Sequence, residues 1–153
     1  MAAVGRIIRR AWQGDGGAEL IELAVALPIL LLVIAGIVDF GILFKDYEVI
    51  TNAAREGARV GVLVDYTATD VQNRAKAYLA AAGLTDTAPT PTVTYSTVPL
   101  SAGGPSIDVI KVVVQYPHKF IFIGPAAAYF GGTSADIMLA SSSTMRRESA
   151  AVP

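Results

Sequence analysis

The apolar run near the start of this chain sets the first limit on its fold. From Leu23 to Val38 no residue carries a charge, and after Asp39 the apolar character resumes from Phe40 to Phe44. Read as one helix, Leu20 to Phe44 is 25 residues, enough to cross a hydrocarbon core of roughly 30 Å at about 1.5 Å per residue. A secretory signal has a shorter apolar region of about 7–15 residues that ends in a small-residue cleavage site. Here the run passes directly into more helix, so it predicts a membrane-spanning segment over residues 18–44. Composition agrees. The chain is 53% hydrophobic and only 16% charged, whereas ordinary globular domains are about a quarter charged. Its 153 residues leave room for one modest domain outside the membrane.

The mouth of the run carries more information than an anchor requires. Arg6, Arg9 and Arg10 precede a glycine pair, Gly16-Gly17, and Glu22 stands one residue before the uncharged stretch. An isolated carboxylate is costly in lipid, so Glu22 reads either as an interfacial carboxylate exposed to water or as one kept to pair with a cation on a neighbouring subunit. Asp39, near Lys45, reads as a solvated carboxylate at headgroup level. Pro28 removes one helical donor and leaves the carbonyl of Ala24 without its usual partner, which predicts a kink of the kind membrane helices tolerate. The short basic tail should stay cytoplasmic and the domain after Phe44 should lie outside, because the positive-inside rule weighs short segments.

Helix continues past the membrane. Between Lys45 and Val64, the residues Ile50, Ala53, Ala54, Gly57, Gly61 and Val64 share one side, while Asn52, Arg55, Glu56 and Arg59 share another. Gly57 and Gly61 each cost about 1 kcal/mol relative to Ala in a helix interior, so close packing must compensate. Gly57 and Gly61 are therefore candidate packing positions, while Arg55 and Arg59, an i,i+4 pair that would repel mildly, read equally as a partner contact or a solvated face. Span and amphipathic segment together predict a rod of about 45 residues, roughly 65 Å long. A second helix follows, with Thr69 or Asp70 as N-cap, Val71, Ala75, Tyr78, Leu79 and Ala82 at helical spacing, and Gly83 as its stop. Thr85 to Pro91 reads as a linker.

The remainder reads as sheet. Thr92 to Val98 alternates hydroxyl and apolar residues; Pro99 to Pro105 is a hairpin loop; Ile107 to Tyr116 is nearly continuous apolar strand. Pro117 and Gly124-Pro125 mark a connection with a short helix around Ala126 to Phe130, and Ile137 to Met145 closes the chain as a third strand. The predicted fold class is α+β: a long transmembrane-plus-amphipathic helix, a second helix, and a small three-stranded antiparallel sheet.

No catalytic constellation accompanies this fold. His118, the one histidine, reads as a turn or surface residue, and without cysteine it cannot assemble a zinc site. Ser141-Ser142-Ser143 has no base to activate a hydroxyl, and no phosphate-binding glycine loop occurs. A net charge of −1 carries no nucleic-acid footprint. The expectation is a non-enzyme with no cofactor, no metal and no nucleic-acid partner.

Three stretches carry a family resemblance. Gly17-Ala18-Glu19-Leu20-Ile21-Glu22 with Leu23-Ala24-Val25-Ala26-Leu27-Pro28 resembles the leader junction of TadE-like pseudopilins of the Tad pilus system. Ala53-Ala54-Arg55-Glu56-Gly57-Ala58-Arg59 looks like that family's helix motif, and Ala140 to Glu148 is similar to its terminal strand. The resemblance implies a pilin-like fold and a basic leader, residues 1–17, removed by a prepilin peptidase after Gly17. Ala18 would then be the mature N-terminus. Glu22, its fifth residue, would pair with a neighbour's N-terminal amine, an arrangement that offsets part of the desolvation of each charge. Major Flp-type pilins are very short and usually carry Tyr after this Glu, so Leu23 and the domain at 45–153 point to a minor pilin. Removing Arg6, Arg9, Arg10 and Asp15 takes the 12 basic and 13 acidic residues of the full chain to 9 and 12, a net charge of −3. The partners implied are the peptidase, major and minor pilin subunits met through the N-terminal helix, the inner-membrane assembly platform and the lipid bilayer. The implied location is the bacterial inner membrane, single-pass with a cytoplasmic N-terminus, and potentially the extracellular pilus. The alternative expectation is an unprocessed single-pass membrane protein whose outer domain binds a partner.

Overall fold

The computed structural model describes residues 16–85, 89–101, 103–133 and 136–148. The predicted leader lies almost wholly outside these, as do three positions of the Thr85–Pro91 linker. Helix α1 runs unbroken over Gly16–Gly61, 46 residues with Pro28 inside it, or roughly 69 Å. After it come α2 (Ala68–Ala81), β1 (Thr92–Pro99), β2 (Ser106–His118), the short helix α3 (Ile123–Tyr129) and β3 (Ile137–Arg146). The strands form one antiparallel sheet in the order β1-β2-β3. The architecture is the α+β arrangement expected from the sequence.

Local chemistry accounts for the ends of α2. Its N-cap is Thr67, not Thr69 or Asp70. The Thr67 hydroxyl accepts from the Asp70 amide, and the Asp70 carboxylate in return accepts from the Thr67 amide at 2.9 Å. This reciprocal capping box needs the acid three residues after the cap, which places Asp70 inside the helix. At the other end Gly83 takes φ +81°, a conformation that favours glycine. The amides of Gly83 and Leu84 close back on the carbonyls of Ala80 and Leu79, and Leu84 tucks into the core.

The core is a sandwich of helix on sheet. Ile50, Ala53, Ala54 and Ala58 of α1 meet Val71, Ala75 and Leu79 of α2, and Ile110, Val112 and Val114 of β2. Val64, predicted to share the stripe, is exposed beyond the end of α1. Every second residue of β2 from Ile110 faces inward, as a strand covered on one face requires. β2 is also longer than predicted: Pro117 pairs with Met138 and His118 with Ile137, so residues assigned to a connection extend the central strand. On β3 the small Ser141 and Ser143 stand opposite Val114 and Val112, and Thr51 of α1 donates a hydrogen bond to Ser141 at 3.0 Å.

The first half of α1 packs on nothing of this kind. It is the one helix among the described residues long and apolar enough to cross a membrane, and its most apolar stretch is unburied. Fifteen large apolar side chains between Leu20 and Phe44 are exposed. Leaving them in water would forgo on the order of 20 kcal/mol even at half of full burial, more than the whole stability of a typical domain. This surface needs lipid or other helices around it.

Candidate assembly interface

At its N-terminal end α1 presents Gly17, Ala18, Glu19 and Glu22 with no tertiary partner among the described residues. Ala18, Glu19 and Glu22 are exposed, and a Cβ built at Gly17 would meet nothing within 4 Å. Two adjacent glycines weaken the first turn of the helix. Glu19 complements the positive end of the helix dipole. Glu22 makes no hydrogen bond or ion pair among the described residues, and Pro28 follows inside the exposed stretch.

The candidate face farther along α1 divides in two. Gly57 and Gly61 are buried. A Cβ on Gly57 would come within 3.3 Å of Ala75 Cβ and of the Val71 carbonyl oxygen; one on Gly61 would overlap Ile110 Cδ1 and lie 2.9 Å from Val71 Cγ2. Both glycines thus let α2 and β2 approach the helix backbone. Arg55 and Arg59 remain exposed. Arg59 reaches Glu56 at 3.3 Å, while Arg74 of α2 meets the same Glu56 oxygen at 3.0 Å. The Arg74 hydrogen bond, with Arg59 alongside, holds the Glu56 carboxyl below its usual range.

Two carboxylates depart from the sequence reading. Asp39 is 1% exposed, not solvated at headgroup level. Its two oxygens accept from the amides of Ile121 (3.0 Å), Phe122 (2.9 Å) and Ile123 (2.7 Å), all in the β2–β3 connection. Two residues past the predicted span, Asp46 is also buried and lies 2.8 Å from Nδ1 of His118. His118 itself is 2% exposed; it is a core residue at the end of β2, not a surface one. An ionised carboxylate can only accept, so Nδ1 donates to it. Nε2 is buried with no partner. Phe120 stacks edge-on against His118 on one side and Phe40 on the other, with ring centroids 5.3 and 6.1 Å away.

A sequence signal for this cluster did exist. Asp39, Leu43 and Asp46 continue the spacing of Ile50, Ala53, Gly57 and Gly61 back toward the membrane. Both acids therefore lie on the covered face of α1, and a stripe traced only through apolar residues stops too soon. Among the described residues no group of three or more His, Asp or Glu side chains is placed to hold a metal. Chemically, the cluster fastens one element to another.

A long exposed apolar helix whose far half is clasped by a second helix and a three-stranded sheet defines an α+β protein with one candidate membrane span. Residues 17–59 match the family described as TadE-like protein, in agreement with the resemblance carried by the leader junction and the Ala53–Arg59 block. The match begins at Gly17 and ends at Arg59, so it covers the long helix and leaves the sheet, with Ala140 to Glu148, outside. No curated protein and no solved structure matches the chain.

Proposed function

We propose that this chain is a minor pilin of a Tad-type pilus. In this reading a prepilin peptidase cuts it between Gly17 and Ala18, and the mature subunit acts in assembling, initiating or anchoring the fibre. The observation that carries the proposal is the TadE-like match over residues 17–59. It coincides with the helix whose start is exposed and whose apolar half is uncovered. Glu22 is then the group that meets the N-terminal amine of a neighbouring subunit, within a bundle of helices that shields both charges. Other pilin subunits and the inner-membrane assembly platform are the partners, reached through residues 18–44, and the α+β domain lies on the extracytoplasmic side.

The test is mass spectrometry of the membrane-extracted protein. The expected N-terminus is Ala18. Gly17→Leu should leave the intact leader in place, and because a side chain at Gly17 meets nothing within 4 Å, that loss reads out the peptidase and not the fold. A chain that keeps Met1 in cells with an active prepilin peptidase would instead support the unprocessed single-pass reading.

A further inference from the structure

The β2–β3 connection has the composition of a membrane-contacting element. From Phe120 to Ala135 it contains no charged residue. Ile121 and Phe122 are about half exposed, while Tyr129 and Phe130 are 86% and 81% exposed. The connection also sits against α1 at a definite height. Ile123 Cδ1 lies 4.0 Å from where a Cβ on Gly36 would stand, and Phe120 packs on Phe40. Twenty residues of helix starting at Leu20 reach Asp39, by which point α1 has risen roughly 30 Å, the thickness of a hydrocarbon core.

We propose that residues 120–133 form a second lipid-contacting element, seated in the outer interfacial layer of the bilayer beside α1 and held there by Asp39. The inference rests on α1 being a membrane span. Continuity selects lipid as the occupant: Phe120 and Ile123 seat the connection on Phe40 and beside Gly36, within the uncovered apolar stretch of α1 from Leu20 to Phe44, and Ile121, Phe122, Tyr129 and Phe130 of the same connection are exposed. Aromatic side chains favour this interfacial zone. The hydrogen bonding meets the membrane's strictest demand: non-helical backbone near lipid persists only where protein groups satisfy its amides. Asp39 does so for three successive amides, at Ile121, Phe122 and Ile123. A carboxylate in the upper part of a membrane helix thus has a structural partner within its own chain.

Single-tryptophan proteins in lipid vesicles test this. In a Trp12→Phe background of the full chain, Leu31→Trp marks the span, Phe130→Trp the connection, and Leu100→Trp the exposed loop between β1 and β2. The expected result is blue-shifted emission for Phe130→Trp, quenched most by lipids brominated near the headgroup. Leu31→Trp should be quenched most by lipids brominated deep in the chains, and Leu100→Trp should emit as in water. Water-like emission at Phe130→Trp while Leu31→Trp is quenched would overturn the inference and leave the span intact. Blue-shifted emission at Phe130→Trp without lipid quenching would also overturn it, by putting protein over the aromatics. Absence of quenching at Leu31→Trp would remove the span and the inference together.

Discussion

Asp46 and His118 form a buried pair 2.8 Å apart. The histidine has one hydrogen-bond partner and one buried, unsatisfied nitrogen. Lys45 lies 3.8 Å from the other Asp46 oxygen but is mostly in solvent, so it compensates little. Removing the carboxylate leaves a buried imidazole with no partner, which typically costs about 1–3 kcal/mol per unmet group. Asp46→Ala should therefore lower stability by about 2 kcal/mol, measurable as a drop in the unfolding midpoint of the purified protein in detergent. Asp46→Asn, which keeps an acceptor oxygen, should recover part of the loss. A histidine between strand and connection looks like a turn residue from its neighbours alone; its burial depends on an acid 72 residues away.

Within α1, glycine has two meanings according to which face it occupies. Gly57 and Gly61 are pressed against α2 and β2, whereas Gly41 faces open space. Forcing extra methylenes into a packed contact costs about 1–3 kcal/mol. Gly57→Leu should destabilise the domain by an amount at or above that range, and Gly41→Leu should leave the unfolding midpoint nearly unchanged. The contrast was legible in part: helical spacing put Gly57 and Gly61 on the inner stripe and required close packing there. The identity of the packing partners was not. The clasp between α1 and α2 also has an electrostatic component, since Arg74 bridges to Glu56. The folded-state pKa of Glu56 is depressed, so its contribution is present above the unfolded carboxyl value near about 4.3 and is lost as pH falls through the folded one. Glu56 is partly exposed, so the contribution is about a few tenths of a kcal/mol. Thermal unfolding between pH 3 and 7, on the order of the carboxylate range, should show a shallower acid-side loss for Glu56→Gln than for the unsubstituted chain.

At the scale of the whole molecule, the subunit is asymmetric, with folding contacts at one end of α1 and, in the proposed function, assembly contacts at the other. Glu22 is 17 residues before Asp39, the first acid of the covered stripe, or roughly 25 Å along the helix axis. It makes no hydrogen bond or ion pair with the described residues of the domain. Glu22→Ala should leave insertion, cleavage and the unfolding midpoint unchanged while reducing filament initiation or incorporation, scored by counting pili on cells. Normal piliation would remove the proposed amine-pairing role. What the sequence determined by itself was the kind and order of the elements, set by period and run length, though not the end of β2 or the exposure of Val64. The apolar run, the 3.6-residue stripe, the alternating strands and the glycine stop all follow from neighbours within a few residues, because helix and strand geometry are local. Helical spacing could place Asp39 and Asp46 on the covered face of α1, but tertiary structure alone decided which distant groups meet the buried polar side chains. Asp39 is buried because amides 82–84 residues later fold onto it, and His118 because β2 runs on past Pro117 to bring it to Asp46. A buried polar group is tolerated only where another group satisfies it, and chain spacing does not reveal which distant group that is.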